Sequence, residues 1–166
     1  EQKGYEPYLT TKYPDKKIAI VTCMDTRLVE LLLAALGLKN GDVKMIKNAG
    51  GVITHPFGSA MRSLMVAIYE LGVEEIMIIG HTDCGAQHML EHMRERGISQ
   101  DHLDMIEYCN VDLRTWLSGF DNGEDAVRRS VHLVKHHPLV PQEGITVRGF
   151  IINSVTGEVS EVKDCD

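Results

Sequence analysis

Lys17-Ile18-Ala19-Ile20-Val21-Thr22 runs without a break into Cys23-Met24-Asp25-Thr26-Arg27. The first six residues form a short apolar run rich in β-branched side chains, the pattern of a strand buried in a sheet. The next five are polar and chemically loaded. The same design recurs downstream, where the strand pattern Glu75–Gly80 meets His81-Thr82-Asp83-Cys84-Gly85.

Around these two stretches, strand and helix patterns alternate. Arg27–Leu36 has helical spacing at Leu28, Leu31, Leu32 and Ala35, and Gly37 ends it. Asn40-Gly41 marks a turn before a second strand, Val43–Lys47. After Asn48-Ala49-Gly50-Gly51, Ser59 is the expected cap of a helix whose apolar face is Met61, Leu64, Ile68 and Leu71, with Gly72 as its stop. Further helices are expected over Gly85–Arg96, 101–117 and 123–136. Ile145–Asn153 and Glu158–Val162 are expected strands around a Thr156-Gly157 turn. Repeated strand–helix–strand units imply an α/β fold with a mainly parallel sheet flanked by helices. The last two strands imply a C-terminal hairpin at an edge.

The chain has 166 residues, enough for one domain with its own core. Residues 1–15, polar and carrying Pro7 and Pro14, read as an N-terminal arm, and 16–166 as a single domain. The formal net charge of -7 argues against a nucleic-acid partner. A single tryptophan, Trp116, argues against a stacking platform for single strands. No apolar run approaches a membrane span, so no membrane partner is expected. Cys23, Cys84, Cys109 and Cys165 are widely spaced in a chain too large to need staples. That usage fits a reducing compartment, and a cytoplasmic location is expected. A secreted protein with two disulfides is the alternative. It fits less well because Cys23 and Cys84 follow strand ends.

Parallel sheets bind ligands beyond the carboxyl ends of their strands. If the strands before Cys23 and His81 are neighbours, those two residues meet at one sheet edge, and Cys84 turns back toward them. Two thiolates and an imidazole suit zinc, and three protein ligands leave a fourth position open, as catalytic sites require. Each residue alone is more often structural: a strand-end cysteine is usually core, and a histidine is usually hydrogen-bonded. Their conjunction points to metal. The two thiolates cancel the charge of Zn2+, so the centre acidifies water less than three neutral imidazoles would. Asp25 and Arg27 are placed to compensate. Arg27 can grip the Asp25 carboxylate as a bidentate pair. Asp25 then either accepts a hydrogen bond from the nucleophile or becomes the fourth ligand. The bland alternative is a local salt bridge worth little.

Other residues carry weaker signals. Gly50 and Gly51 either bring backbone close to a small substrate or simply make a tight turn. His88 and His92, one helical turn apart, suit a proton relay but read more simply as an exposed polar face, and His55 has similar standing. Asp83 is expected to cap the following helix rather than support a ligand. The His136-His137-Pro138 run reads as a helix end, and Cys109 and Cys165 as free thiols.

CMDTR at 23–27, KNAGG at 47–51 and HTDCG at 81–85 together resemble the signature motifs of the β-class carbonic anhydrases, in the compact prokaryotic branch. The resemblance is strong over roughly 16–90 and holds in outline beyond. It implies one zinc per chain on Cys23, His81 and Cys84, and an Asp25–Arg27 catalytic dyad. It also implies that Asp25 in some members closes onto the zinc as a fourth ligand. It implies a homodimer or an assembly of dimers, with the N-terminal arm crossing to the partner. The expected reaction is reversible hydration of CO2 to bicarbonate by attack of zinc-bound hydroxide. Two alternatives stand beside it. One is hydrolysis of carbonyl sulfide or carbon disulfide at the same site. The other is a non-catalytic zinc or thiol redox-sensing protein.

Overall fold

A computed structural model describes residues 4–117 and 122–165. Its centre is a five-stranded sheet in the order β2-β1-β3-β4-β5, formed by β1 (Ile18–Cys23), β2 (Val43–Asn48), β3 (Glu75–His81), β4 (Thr146–Ile152) and β5 (Val159–Glu161). The first four strands are parallel, and β5 pairs antiparallel with β4 as the expected edge hairpin. Five of the six residues of β1 and six of the seven in β3 are buried. This is the composition of interior strands covered on both faces, and it explains their continuous apolar runs.

The helices are α1 (Leu31–Ala35), α2 (Ser59–Tyr69), α3 (Met89–Glu95), α4 (Gln100–Tyr108), α5 (Leu113–Leu117) and α6 (Gly123–Lys135). One face of the sheet, through Ala19, Val21, Ile76 and Ile78, packs on Met61 and Leu64 of α2 and on Val127 and Val131 of α6. The other, through Ile20, Met77 and Ile79, packs on Leu28 and on Leu32 of α1. Asn122 caps α6, its side chain accepting the Asp125 N–H at 2.9 Å.

Three expectations are corrected. The helix expected over Arg27–Leu36 divides into a single 3₁₀ turn at Thr26–Leu28 and the short α1. The Asp25 carboxylate captures the Arg27 N–H at 2.9 Å and so starts a tight turn before any α-helix begins. Ser59 is the first helical residue of α2, and Gly58 holds the cap position. The helix expected over 101–117 is two, α4 and α5, broken where Asn110 takes a left-handed φ of 60°. The arm packs back on its own domain: Asn40 Nδ2 donates to the Tyr8 carbonyl at 2.6 Å, and the Asp15 N–H donates to the Gly41 carbonyl at 3.0 Å.

From β1 the chain goes to β2 on one side, then returns to place β3 on the other. The carboxyl ends of β1 and β3 therefore flank the point where the strand order reverses, the crevice where such sheets bind ligands. Cys23 and His81 are the last residues of these two strands.

Candidate metal centre

Strand register brings the two motifs together. Thr22 sits opposite Ile79, and its buried Oγ1 donates to the Ile79 carbonyl at 2.9 Å, fixing the ends of β1 and β3 side by side. Past β3, Asp83 takes a φ of 55° and turns the chain back, so that Cys84 starts a 3₁₀ turn at Gly85–His88. Cys23 Sγ and Cys84 Sγ then lie 3.9 Å apart. One donor atom from each of Cys23, His81 and Cys84 falls within 4.8 Å of the other two, and they are the one such trio of His, Cys, Asp or Glu among the described residues.

Three observations show that this trio fits a zinc ion. The donor set is two sulfurs and one nitrogen. Two thiolates on a tetrahedral zinc, each about 2.3 Å from it, lie roughly 3.8 Å apart, close to the observed sulfur–sulfur separation and far beyond a disulfide bond. Lastly, His81 Nδ1 lies 2.8 Å from the Thr82 carbonyl, while its buried Nε2 has no hydrogen-bond partner among the described residues. A buried nitrogen left in that condition costs free energy unless something binds it.

The two thiols are electrostatically coupled. The Cys23 thiol is pulled well down, first by its hydrogen bond with Cys84 and then by His81, against the opposing effect of burial. The Cys84 thiol is pushed up, first by the same contact with Cys23 and then by burial. The pair thus holds one proton between two sulfurs, with Cys23 the readier of the two to ionise.

Asp25 and Arg27 stand beside the trio. Arg27 Nε and Nη2 donate to Asp25 Oδ1 and Oδ2 at 3.1 and 2.8 Å, a bidentate grip. Hydrogen bonds from the Arg27 side chain hold the Asp25 carboxyl down to about 2. Asp25 Oδ2 lies 4.0 Å from His81 Nε2.

Gly50 and Gly51 have separate jobs. Gly50 lines a cleft of about 770 Å³ together with Cys23, Asp25, Cys84 and apolar walls at Met24, Met89 and Trp116. Gly51 is buried at φ 65°, where an added Cβ would fall 2.7 Å from the Cys23 nitrogen. No other residue fits there, because it is pressed against the strand end that carries Cys23. Asn48 belongs to the KNAGG stretch, but no sequence pattern assigns its side chain a role. Its side chain brackets this loop, donating to the Val52 carbonyl at 2.7 Å and accepting the Val52 N–H at 3.1 Å.

Asp83 does not cap the following turn; it accepts from Arg27 instead. His88 and His92 are neighbours with ring centroids 6.2 Å apart, and neither lines the cleft. His55 Nδ1 accepts the Phe57 N–H at 3.0 Å, and the buried His137 bonds the Pro56 carbonyl through Nε2 at 2.9 Å. Cys109 is exposed and Cys165 half-buried, both as free thiols.

Residues 18–159 match the family model described as carbonic anhydrase. The chain is 51% identical over 166 residues to the carbonic anhydrase homologue YvdA of Bacillus subtilis (strain 168), covering 97% of this chain and 84% of that one. It is 30% identical over 158 residues to a carbon disulfide hydrolase of Acidithiobacillus thiooxidans, covering 87% and 76%. Among solved structures it is similar to β-carbonic anhydrase isoform I of Trichomonas vaginalis, with a TM-score of 0.79, 38% identity, and coverage of 94% of this chain and 88% of that one.

Proposed function

The chain belongs to the β-carbonic anhydrase family, and from that premise we propose that it is a zinc-dependent carbonate dehydratase, interconverting CO2 and bicarbonate. The observation that carries this reading is the orphaned Nε2 of His81, on a side chain grouped with two cysteine sulfurs within 4.8 Å and lying 4.0 Å from an ionised carboxylate.

Cys23, His81 and Cys84 would hold one zinc per chain. When bound, the metal would supply a Lewis acid that makes water a better nucleophile. The remaining work falls to the chain. Asp25, ionised throughout the working range, is an acceptor only. Its Oδ2 faces His81, so it accepts a hydrogen bond from a water in the cleft and fixes which lone pair of that water faces the substrate. Arg27 keeps that carboxylate in place and charged. Met24, Met89 and Trp116 give an uncharged linear molecule an apolar approach, and the backbone at Gly50 leaves room beside Cys23. The product is an anion, which this apolar wall holds poorly and water displaces.

Stopped-flow CO2 hydration by the purified, zinc-analysed protein tests the reading. Turnover well above the uncatalysed rate, with one zinc per chain, supports it. Zinc-loaded protein without CO2 turnover contradicts it. The apolar, sulfur-bearing cleft wall and the carbon disulfide hydrolase relative favour one second reading, hydrolysis of CS2 or COS, and fast turnover of those with negligible CO2 hydration would establish it. We place the protein in the cytoplasm as a homodimer or an assembly of dimers.

A further inference from the structure

The guanidinium of Arg27 is shared between two residues. Nε and one Nη2 hydrogen face Asp25. On the far side, Nη2 also donates to the Asp83 backbone carbonyl at 2.9 Å, and Nη1 donates to Asp83 Oδ2 at 3.0 Å. A guanidinium has five N–H groups in a rigid planar fork, and the two residues together engage four of them. The direction in which the fork faces Asp25 is therefore set from behind by one residue.

Resting on the metal-centre reading above, we infer that Asp83 is a positioning residue: its carbonyl and carboxylate hold Arg27 turned onto Asp25, which keeps the Asp25 carboxylate beside the metal ligands rather than on the metal. Two features of Asp83 serve this. Its left-handed backbone, at φ 55°, aims its carbonyl at Arg27, a conformation that aspartate, asparagine and glycine adopt more readily than other residues. Its carboxylate adds charge, but the side chain is 84% exposed, so an ion pair there is weak. The backbone carbonyl is the stronger of the two restraints. Asp25 Oδ2 is 4.0 Å from His81 Nε2, so a carboxylate released by Arg27 starts its motion beside a candidate ligand atom.

The experiment compares Asp83→Asn, Asp83→Gly and Asp83→Ala in the full chain. Zinc-loaded protein is used for kinetics and cobalt(II)-substituted protein for visible absorption. Asparagine keeps both acceptors without the charge, glycine keeps the backbone and carbonyl, and alanine disfavours the left-handed turn. Asp83→Ala is expected to lower kcat roughly tenfold with KM within about twofold, while glycine and asparagine stay within about threefold of wild type. The cobalt spectrum of Asp83→Ala is expected to change in a way that a second substitution, Asp25→Asn, abolishes. Asp83→Ser makes the same comparison where the alanine variant does not fold. Wild-type kcat, KM and cobalt spectrum in Asp83→Ala overturn the inference, as does equal damage in all three variants with parallel loss of metal. A wild-type protein inactive on CO2 counts against the proposed function alone, because the spectra judge Asp83 without turnover. A wild-type protein that takes up no cobalt overturns both.

Discussion

Asp25 Oδ2 lies 4.0 Å from His81 Nε2 while Arg27 grips both carboxylate oxygens from the other side. The carboxylate thus stands at the border of the candidate metal position, charged and restrained. Its exchange for a neutral amide separates chemistry from metal binding. Asp25→Asn is expected to keep its zinc and lose about 10²-fold or more in kcat, in the range for removing one positioned hydrogen-bonding group at the reacting centre. Zinc analysis alongside stopped-flow kinetics checks it, and full activity would remove Asp25 from the mechanism.

Cys84→Ser exchanges a soft thiolate for a hydroxyl that stays protonated at neutral pH. Zinc content of the purified variant is expected to fall well below one per chain, with His81→Ala behaving alike. Stoichiometric zinc in both variants would mean that the ligands lie elsewhere.

Gly51→Ala places a methyl group 2.7 Å from the Cys23 nitrogen at a positive φ. Strain of about 2 kcal/mol is expected, which for a chain of this size lowers Tm by roughly 5 °C. Gly4→Ala, where an added Cβ meets nothing within 4 Å, is the control and should leave Tm unchanged. Differential scanning calorimetry decides between them.

Burial pushes the Cys165 thiol above its ordinary range, with Lys135 and Arg128 pulling the other way. The folded state therefore holds that proton to higher pH than the unfolded chain does. Its contribution to stability is complete below the unfolded thiol value, about 8.5, and is lost as pH rises through the folded one. Denaturant melts at pH 7 and pH 10 should show a smaller alkaline loss in Cys165→Ser than in wild type. Iodoacetamide at pH 8 should modify exposed Cys109 well before Cys165, and mass spectrometry of timed samples would reveal the opposite order.

The sheet was legible because its strands are buried on both faces. Runs such as Ile18–Val21 and Ile76–Ile79 have no other stable home in a chain of this length. The candidate metal trio was legible in part: Cys23 and His81 each close a buried apolar run, and the adjacency of β1 and β3 that brings them together is seen only in the sheet order. Helix ends and breaks were less so. The break before α1 depends on a carboxylate capturing an N–H two residues on, and the break at Asn110 on one left-handed residue, neither of which disturbs apolar spacing. Asp83 has the sequence position of a cap, because an acidic residue before a helix usually is one. Its partner, Arg27, lies 56 residues away and is visible only once β1 and β3 are side by side. The cleft walls at Met89 and Trp116 were out of reach in the same way, since no local pattern says that α3 and α5 turn toward the sheet edge.

X-ray absorption at the zinc K-edge of the purified protein reads the ligand set of the metal itself. Two sulfur neighbours at about 2.3 Å and one imidazole nitrogen at about 2.0–2.1 Å, with a single further light-atom ligand, are expected. A zinc with four sulfurs, a zinc without sulfur, or no stoichiometric zinc would contradict a centre built from Cys23, His81 and Cys84.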